Sequence, residues 1–214
     1  IDRGLVGSEM CIRDRNVFRE PAAVMANMKV VTDHAHQRIA AEAETADRIW
    51  QLPRVISAKD GGDFVVDEEG ECWRALSMIA STVSYEKVGI PEHAAEAGRV
   101  LGHFQRIISD FPIDQLADTL PGFHITPRYL DSYDEALKEK IGKARLAASS
   151  EARRLSQFVE ARRDFASILE NAREAGELVD RPIHGDPKIT NVMIDKYTGK
   201  AVSYTHLRAH ETSI

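Results

Sequence analysis

The chain has 214 residues, 43% of them hydrophobic, and its formal net charge is −6 because 34 acidic residues outnumber 28 basic ones. This length and composition predict one generous globular domain or two small lobes. The excess of acidic residues argues against a nucleic-acid partner, since a protein that binds the phosphate backbone needs a basic face.

Cysteine usage and apolar runs narrow the class further. Cys11 and Cys72 are the two cysteines of the sequence, and neither a disulfide framework nor a structural zinc site is indicated. No apolar run approaches the roughly 18 residues that cross a bilayer, and the first residues lack the apolar core of a signal peptide. We therefore expect a cytoplasmic protein with no membrane partner, whose oligomeric state the sequence does not indicate.

Both ends of the chain differ from the sequence between them. Residues 1–14 show no sustained helical or strand period, and they look like translated sequencing-adapter sequence, as do residues 203–214. We expect both segments to be non-native, and such segments are left out of fold reasoning. A genuine but disordered start and end is the alternative.

The next predicted elements are a helix, a group of strands and a second helix. Pro21 suits a first helical position, and helical spacing follows at Val24, Met28, Val31, Ala35 and Ile39. Alternation predicts strands over 54–58, 63–67 and 72–79, with a hairpin turn at 68–71. The second helix is predicted from Pro91 until Pro112, with one apolar stripe formed by Ala94, Ala97, Leu101, Phe104, Ile108 and Phe111.

The span 111–128 is rich in turn residues and long enough for a compact functional loop. Within it, three side chains could contact a sugar hydroxyl or a phosphate: His124, Thr126 and Arg128. The alternative is a purely structural loop, held by Phe123 and by its prolines.

Helical patterns return after this span. Ser132 and Glu135 have the spacing of a capping box, which predicts a helix start at Ser132. Apolar spacing predicts two helices up to Glu174, joined near 148–150, and Gly176 is expected to stop the second one.

The most specific pattern lies at residues 184–191, called the 184–191 loop below. Asp186 follows His184 by two residues and precedes Asn191 by five. This is the spacing of the catalytic loop in kinase-fold phosphotransferases, where the Asp receives the acceptor proton and the Asn holds magnesium. Lys188 lies where a cation could neutralise a transferring phosphoryl group, and His184 would brace the loop. Apolar residues on both sides predict flanking strands, with a turn at 196–199 and a returning strand from residue 200.

The 184–191 loop and the hairpin after it resemble the aminoglycoside phosphotransferase superfamily of small-molecule kinases. Within that superfamily the resemblance is to N-acetylhexosamine kinases, and it rests on residues 16–21, 122–128 and 183–195. The resemblance implies an α+β, protein-kinase-like two-lobe fold in truncated form. A partial N-lobe would cover residues 15–82, and a partial helical C-lobe with the 184–191 loop would cover residues 83–202.

The resemblance also implies ATP and Mg²⁺ as cofactors, and the anomeric hydroxyl of an N-acetylhexosamine as the acceptor of the γ-phosphate. The catalytic residues would be Asp186, Lys188 and His184, with Asn191 on the metal. The hinge between the lobes, whose backbone would pair with the adenine edge, would include Met78, Ile79 and Ala80, although these residues also fit an ordinary strand end. The acceptor contacts would come from His124, Thr126 and Arg128.

The sequence departs from this family pattern near both ends. No Gly-rich phosphate loop or identifiable nucleotide lysine precedes residue 15, and no metal-binding aspartate follows residue 202. Because these parts act as a unit, we expect the chain as written to be inactive.

Three alternatives stay open on the sequence. The same catalytic parts would serve a kinase of another small alcohol, such as an aminoglycoside, choline or homoserine. A non-catalytic, pseudokinase-like binding protein would keep the loop as a structural remnant. A metal-dependent hydrolase that uses His184 and Asp186 would need more metal ligands than the sequence offers.

Overall fold

The structure is a computed structural model that describes residues 9–12, 20–42, 48–204 and 210–213, with the backbone alone for 9–12 and 210–213. Its mixture of helices and small antiparallel sheets is compatible with the predicted α+β class. Most of the two segments expected to be non-native, 1–14 and 203–214, lies outside the described residues. No helix in the described part of the chain is long and apolar enough to cross a membrane.

Six helices and nine strands are present in the described ranges. The helices are α1 (Pro21–Glu42), α2 (Pro91–Ile107), α3 (Thr126–Lys138), α4 (Lys140–Ala148), α5 (Ser150–Glu160) and α6 (Ile168–Glu174). Short 3₁₀ turns lie at Ile113–Gln115, Arg163–Phe165 and Ile189–Asn191. The strands are β1 (Glu9–Ile12), β2 (Val55–Ile56), β3 (Val65–Val66), β4 (Cys72–Leu76), β5 (Thr82–Val83), β6 (Asp180–Ile183), β7 (Val192–Asp195), β8 (Ala201–Tyr204) and β9 (His210–Ser213).

The described strands form three sheets, of which the two larger ones are antiparallel and are built around β4 and β7, while β6 pairs with β9 in the third. β4 pairs with β1 along one edge and with β2 and β3 along the other. The predicted β3–β4 hairpin is confirmed, and its turn contains Gly70 at a φ of +78°, a conformation that glycine adopts without steric cost. In the second sheet β7 lies between β5 and β8. The sequence pattern does not predict β1.

Contacts divide the chain into two units. The first comprises Ile1–Leu120 and Arg181–Glu211, and the second comprises Pro121–Asp180 and Thr212–Ile214. The sheets around β4 and β7, the helices α1 and α2 and the 184–191 loop all belong to the first unit. The second unit contains α3 to α6. The expected lobe boundary between residues 82 and 83 stays a prediction.

The predicted helix at Pro21 is confirmed as α1, and its apolar residues Val24, Met28, Val31 and Ala35 are buried. The side chain of Asn27, 2% exposed, joins α1 to the segment after α2. Its Nδ2 donates to the carbonyl of Ala117 at 2.7 Å, and its Oδ1 accepts from the N–H of Ala117 at 2.9 Å. A buried amide with both hydrogen-bonding groups satisfied holds this segment at one register.

The apolar face of α2 is wider than the stripe that the sequence predicts. Val100 and Ile107, which the stripe leaves out, are 2% and 0% exposed, whereas the predicted Ala94 is exposed. The physical reason is that α2 has neighbours on two sides. Phe104 and Ile107 of α2, together with Ile108 and Phe111 just after the helix, pack with α1. Val100 and its partly buried neighbours Ala97 and Leu101 pack with β7 and β8.

The prediction of two helices between residues 132 and 174 is wrong, because the structure has four. The capping-box prediction is wrong too. α3 begins at Thr126 with a proline in its first turn, so Ser132 lies inside the helix and its hydroxyl donates to the carbonyl of Arg128 at 3.0 Å. The break between α3 and α4 brings Gly142 against Ala136, where any Cβ at position 142 would overlap the carbonyl oxygen.

The other two helix limits in this region are confirmed. Ser149 lies at the join between α4 and α5, and its side chain accepts a hydrogen bond from the N–H of Ala152 as an N-cap. Gly176 follows the end of α6 with a φ of +74°, which is the conformation of a glycine helix stop.

A buried ion pair ties the segment after α1 to α2 and β8. The side chains of Arg48 and Glu96 are 4% and 14% exposed and form a salt bridge. The same carboxylate accepts from the N–H of Ala201 at 2.6 Å. Burial raises the pKa of Glu96, but the hydrogen bonds from Arg48 and Ala201 outweigh it, so the pKa lies below its ordinary value of 4.5.

This pair predicts a specific loss of stability in acid. Since the pKa of Glu96 is lower in the folded than in the unfolded chain, its contribution is complete above pH 4.5 and is lost as the pH falls through the folded pKa. Between about pH 6 and about pH 3, Glu96→Gln should therefore lose less unfolding free energy than the wild type. Urea unfolding at both pH values measures the difference. Glu86→Gln, at an exposed position, should instead follow the wild type.

Candidate active site

The 184–191 loop connects β6 to β7 as the sequence predicts. The chain leaves β6 at Ile183 and turns at Gly185, whose φ is +80°. It then forms a 3₁₀ turn at Ile189–Asn191 and enters β7 directly. The positive φ at Gly185 directs the chain after His184 away from the line of β6, and the 3₁₀ turn returns it, so that Asp186 and Asn191 meet.

Asp186 and Asn191 are joined through the side-chain amide of the asparagine. Nδ2 of Asn191 donates to the backbone carbonyl of Asp186 at 2.8 Å and to its Oδ2 at 3.2 Å. Asn191 is 2% exposed, whereas the side chain of Asp186 is 26% exposed. The amide therefore holds the aspartate from the buried side and leaves part of the carboxylate accessible.

Lys188 completes the polar cluster of this loop. Its Nζ lies 2.8 Å from Oδ2 of Asp186, the same oxygen that accepts from Asn191. The lysine side chain is 53% exposed. One carboxylate oxygen is thus shared between a buried neutral donor and a solvent-accessible cation.

His184 lies behind the loop, and it is only 3% exposed. Its Nδ1 accepts a hydrogen bond from the N–H of Asp186 at 3.3 Å. Its ring meets Phe104 and Tyr204 edge to face, with centroid distances of 5.6 and 4.3 Å. These contacts are those of a side chain that supports the backbone of Asp186.

Phe104 and Tyr204 are site residues that sequence reasoning missed. Phe104 was visible only as one member of the α2 stripe, and Tyr204 lies in the segment expected to be non-native. The hydroxyl of Tyr204 donates to the carbonyl of Lys188 at 3.4 Å. Burial and the charge of Asp186 raise the pKa of Tyr204, and the Lys188 carbonyl lowers it by less. The phenol therefore stays protonated near neutral pH and continues to donate.

The hinge candidates Met78, Ile79 and Ala80 lie in the connection from β4 to β5. Ile79 is buried, and the other two are exposed. Because β5 pairs Thr82 with Asp195, this connection lies at the opposite end of β7 from Asn191. The four residues of β7 span about 10 Å. The structure therefore places the hinge candidates apart from the Asp186 cluster, just before the strand that pairs with the far end of β7.

The acceptor candidates His124, Thr126 and Arg128 belong to the second unit. His124 has a φ of +61°, and its N–H donates to the hydroxyl of Tyr129 at 2.8 Å. Its ring stacks on Phe123 with the centroids 3.9 Å apart. Thr126 is the first residue of α3, and Arg128 follows in the first turn.

The oxygen-bearing side chains of the 184–191 loop are of the chemical type that binds Mg²⁺. Mg²⁺ is usually bound through one or two carboxylates together with substrate phosphates and water, rather than by a full protein cage. The side-chain oxygen of Asn191 is a ligand of this kind, and the carboxylate of Asp186 lies beside it. In the described part of the chain, no group of three or more His, Cys, Asp or Glu side chains could hold an ion.

Asp195 is the nearest later aspartate, but its carboxylate is used by the hairpin turn. Oδ1 accepts from the N–H groups of Tyr197 and Thr198 at 3.1 and 2.7 Å, and from the Thr198 hydroxyl at 2.9 Å. The hydrogen bonds from Thr198 and Tyr197 hold the pKa of Asp195 below its ordinary range. Its role in the structure is to close the β7–β8 turn.

Residues 14–203 match the model of a protein family described as APH, the phosphotransferase enzyme family. The matched range contains the whole 184–191 loop, the segment 78–80 and the residues His124, Thr126 and Arg128. It therefore covers every residue that the sequence analysis selected as a candidate for the site.

The conformation of Gly185 gives a test of the loop geometry. An L-residue at a φ of +80° is strained, so Gly185→Ala should lower the free energy of unfolding by about 1–2 kcal/mol. Gly98→Ala is the matched control, because Gly98 lies inside α2 with open space around its Cβ position. The control should raise stability by about 0.5–1 kcal/mol. Chemical denaturation measures both, and equal effects of the two variants would contradict the loop geometry.

Proposed function

The chain belongs to the APH phosphotransferase enzyme family, and we propose that it is built to transfer the γ-phosphate of ATP to a sugar hydroxyl. As a member of that family it is a small-molecule phosphotransferase of the kinase type. The observation that carries the proposal is that Lys188 and Asn191 both contact one carboxylate oxygen, Oδ2 of Asp186. Proton acceptor, cation and metal-binding amide are three of the parts that phosphoryl transfer requires of a protein.

In the proposed reaction the carboxylate of Asp186 accepts the proton of the acceptor hydroxyl as its oxygen bonds to the γ-phosphorus. The bond from that phosphorus to the bridging oxygen of ATP breaks, and ADP leaves. Lys188 is exposed enough to reach from Asp186 to a phosphate, where its charge would offset the charge of the transferring group. Asn191 would hold Mg²⁺, which neutralises phosphate charge when it is bound.

Adenine is proposed to pair with the backbone of Met78, Ile79 and Ala80. Two features of this segment support the proposal. It follows the central strand of one sheet and leads into β5 of the other, and its exposed residues flank the buried Ile79. The length of β7 separates this segment from Asn191, so that the base and the phosphates would lie at opposite ends of this strand.

The proposed acceptor is the anomeric hydroxyl of an N-acetylhexosamine. Support comes from the resemblance of residues 122–128 and 183–195 to N-acetylhexosamine kinases, and His124, Thr126 and Arg128 are the proposed acceptor contacts. An aminoglycoside, choline or homoserine would be phosphorylated by the same loop, so the acceptor must be established by assay.

The proposal has a second part, which concerns turnover. No aspartate occurs between Lys196 and Ile214, and the carboxylate of Asp195 is engaged in its turn. Residues 196–214 thus contain no aspartate at the place expected by resemblance. We propose that the chain as sequenced binds Mg·ATP but transfers phosphate poorly or not at all. A pseudokinase-like binding protein is the alternative that would give the same result.

Binding of Mg·ATP tests the site independently of turnover. Asn191→Leu should raise the dissociation constant of Mg·ATP about tenfold, since a metal-binding amide is lost. Asp186→Asn should bind Mg·ATP more weakly too, because a negative charge beside the metal is lost. Asn171→Leu is the matched control, at an exposed position of α6, and should bind like the wild type. Calorimetric titration measures all four proteins, and equal binding by Asn191→Leu and the wild type would contradict the metal role.

An acceptor panel tests the substrate and the turnover. Labelled ATP is incubated with amino sugars, amino alcohols and aminoglycosides, and phosphorylated products are separated. Turnover of an amino sugar would support the acceptor and overturn the proposal of inactivity, and Asp186→Asn should abolish it because the proton acceptor is lost. Turnover of another alcohol alone would remove the sugar assignment. Binding of Mg·ATP without any turnover is the result that the proposal expects.

A further inference from the structure

The buried Arg48–Glu96 pair makes contacts that are unusual for an ion pair, because both of its members also bind the backbone of Ala201. Glu96 Oε2 accepts from the N–H of Ala201 at 2.6 Å, and Arg48 Nη1 donates to the carbonyl of Ala201 at 3.1 Å. A carboxylate and a guanidinium thus occupy the places that the carbonyl and N–H of a further strand would occupy. At Val202, the next residue of β8, the carbonyl accepts from the N–H of Gln51 at 2.8 Å.

These contacts lead to the 184–191 loop by a short route. Ala201 pairs with Ile194 in β7, and β7 begins at the residue after Asn191. Val192 and Ile194 share a core with Val100 of α2, and the partly buried Ile189 of the loop packs against this core. Further along α2, Phe104 touches His184. The ion pair and Phe104 therefore fix α2 at two points against the strands and the loop.

We propose that Arg48 and Glu96 are positioning residues, which set the register of β8 and β7 on α2 and thereby hold Asn191 and Asp186 in the arrangement that binds Mg·ATP. This inference rests on the proposed function, because its readout is the binding of that ligand. Arg48 precedes the expected lobe boundary at residue 82, and Glu96 and Ala201 follow it, so the pair also joins the two expected lobes within the first unit.

Stability alone does not account for a pair of this kind. Removing two charges from water costs about as much as their attraction returns, and well-packed apolar residues of similar size are often as stable. What apolar side chains cannot supply is the pair of directional hydrogen bonds to Ala201. If Arg48 and Glu96 were replaced by apolar residues of similar size, stability would be kept and the positioning of Ala201 would be lost.

The double variant Arg48→Met with Glu96→Leu separates position from stability. Its melting temperature should stay near that of the wild type, while the dissociation constant of Mg·ATP should rise about tenfold, as for lost support of a metal ligand. Hydrogen exchange of the Ala201 amide should become faster, since its acceptor is gone. Arg99→Gln is the matched control, because Arg99 pairs with the same carboxylate at 3.5 Å from an exposed position. This control should leave Mg·ATP binding and Ala201 exchange unchanged.

The outcomes separate the two proposals. A folded double variant that binds Mg·ATP like the wild type overturns the positioning role and leaves the proposed function standing. A third variant, Arg48→Gln, leaves the buried carboxylate of Glu96 without its cation. If this variant binds Mg·ATP weakly and the double variant restores binding, the unpaired charge is the cause and the positioning role is overturned. If the wild type itself binds no Mg·ATP, the proposed function fails. Exchange of the other β7 and β8 amides in the double variant then still reports whether the pair sets the strand register, since those amides do not donate to Glu96.

Discussion

Helix α2 is packed from two sides, and the order of the first unit depends on this constraint. Its C-terminal half lies against α1 in one core, while Val100 and its neighbours support β7 and β8 in another. A helix between two cores cannot slide or rotate without opening one of them, because interiors are close-packed. The 184–191 loop inherits this rigidity, since Ile189 and His184 both contact residues on or beside α2.

Within that rigid support, the polar cluster is arranged so that each group has a partner before any ligand arrives. Asn191 is buried and directs its amide to Asp186, while Lys188 approaches the same oxygen from solvent. The buried contact fixes the position of the carboxylate at little entropic cost. The exposed lysine contact is weaker by nature, because an ion pair near solvent contributes little, and it can therefore be exchanged for a phosphate.

Features that depend on neighbours in sequence could be predicted from the sequence. The 184–191 loop between two strands, the β3–β4 hairpin, the start of α1 and the glycine stop after α6 all follow from spacing and turn chemistry over fewer than about ten residues. The helix start at Thr126 was missed because Ser132 offers an equally good local signal. No local feature of the sequence indicates that the helix begins beside Pro127 rather than at Ser132.

Features that depend on distant residues could not be predicted. The apolar pattern of α2 implies one buried face, and its second face exists only because β7 and β8 fold against it. Phe104 and Tyr204 became recognisable as supports of His184 only when the ring contacts were known. The same holds for Arg48 and Glu96, which are 48 residues apart in the chain and carry no motif.

The contact between Asn191 and Asp186 also limits which residues the site can tolerate. An aspartate in place of Asn191 would have nearly the same shape, but it would bring a second carboxylate within hydrogen-bond distance of the first. Two ionised carboxylates at that distance repel each other unless they share a proton or a cation, and the cation at hand is Lys188, 2.8 Å from the carboxylate of Asp186. Exchange of one amide nitrogen for oxygen would thus make the closure of this loop depend on an exposed lysine instead of a buried hydrogen bond.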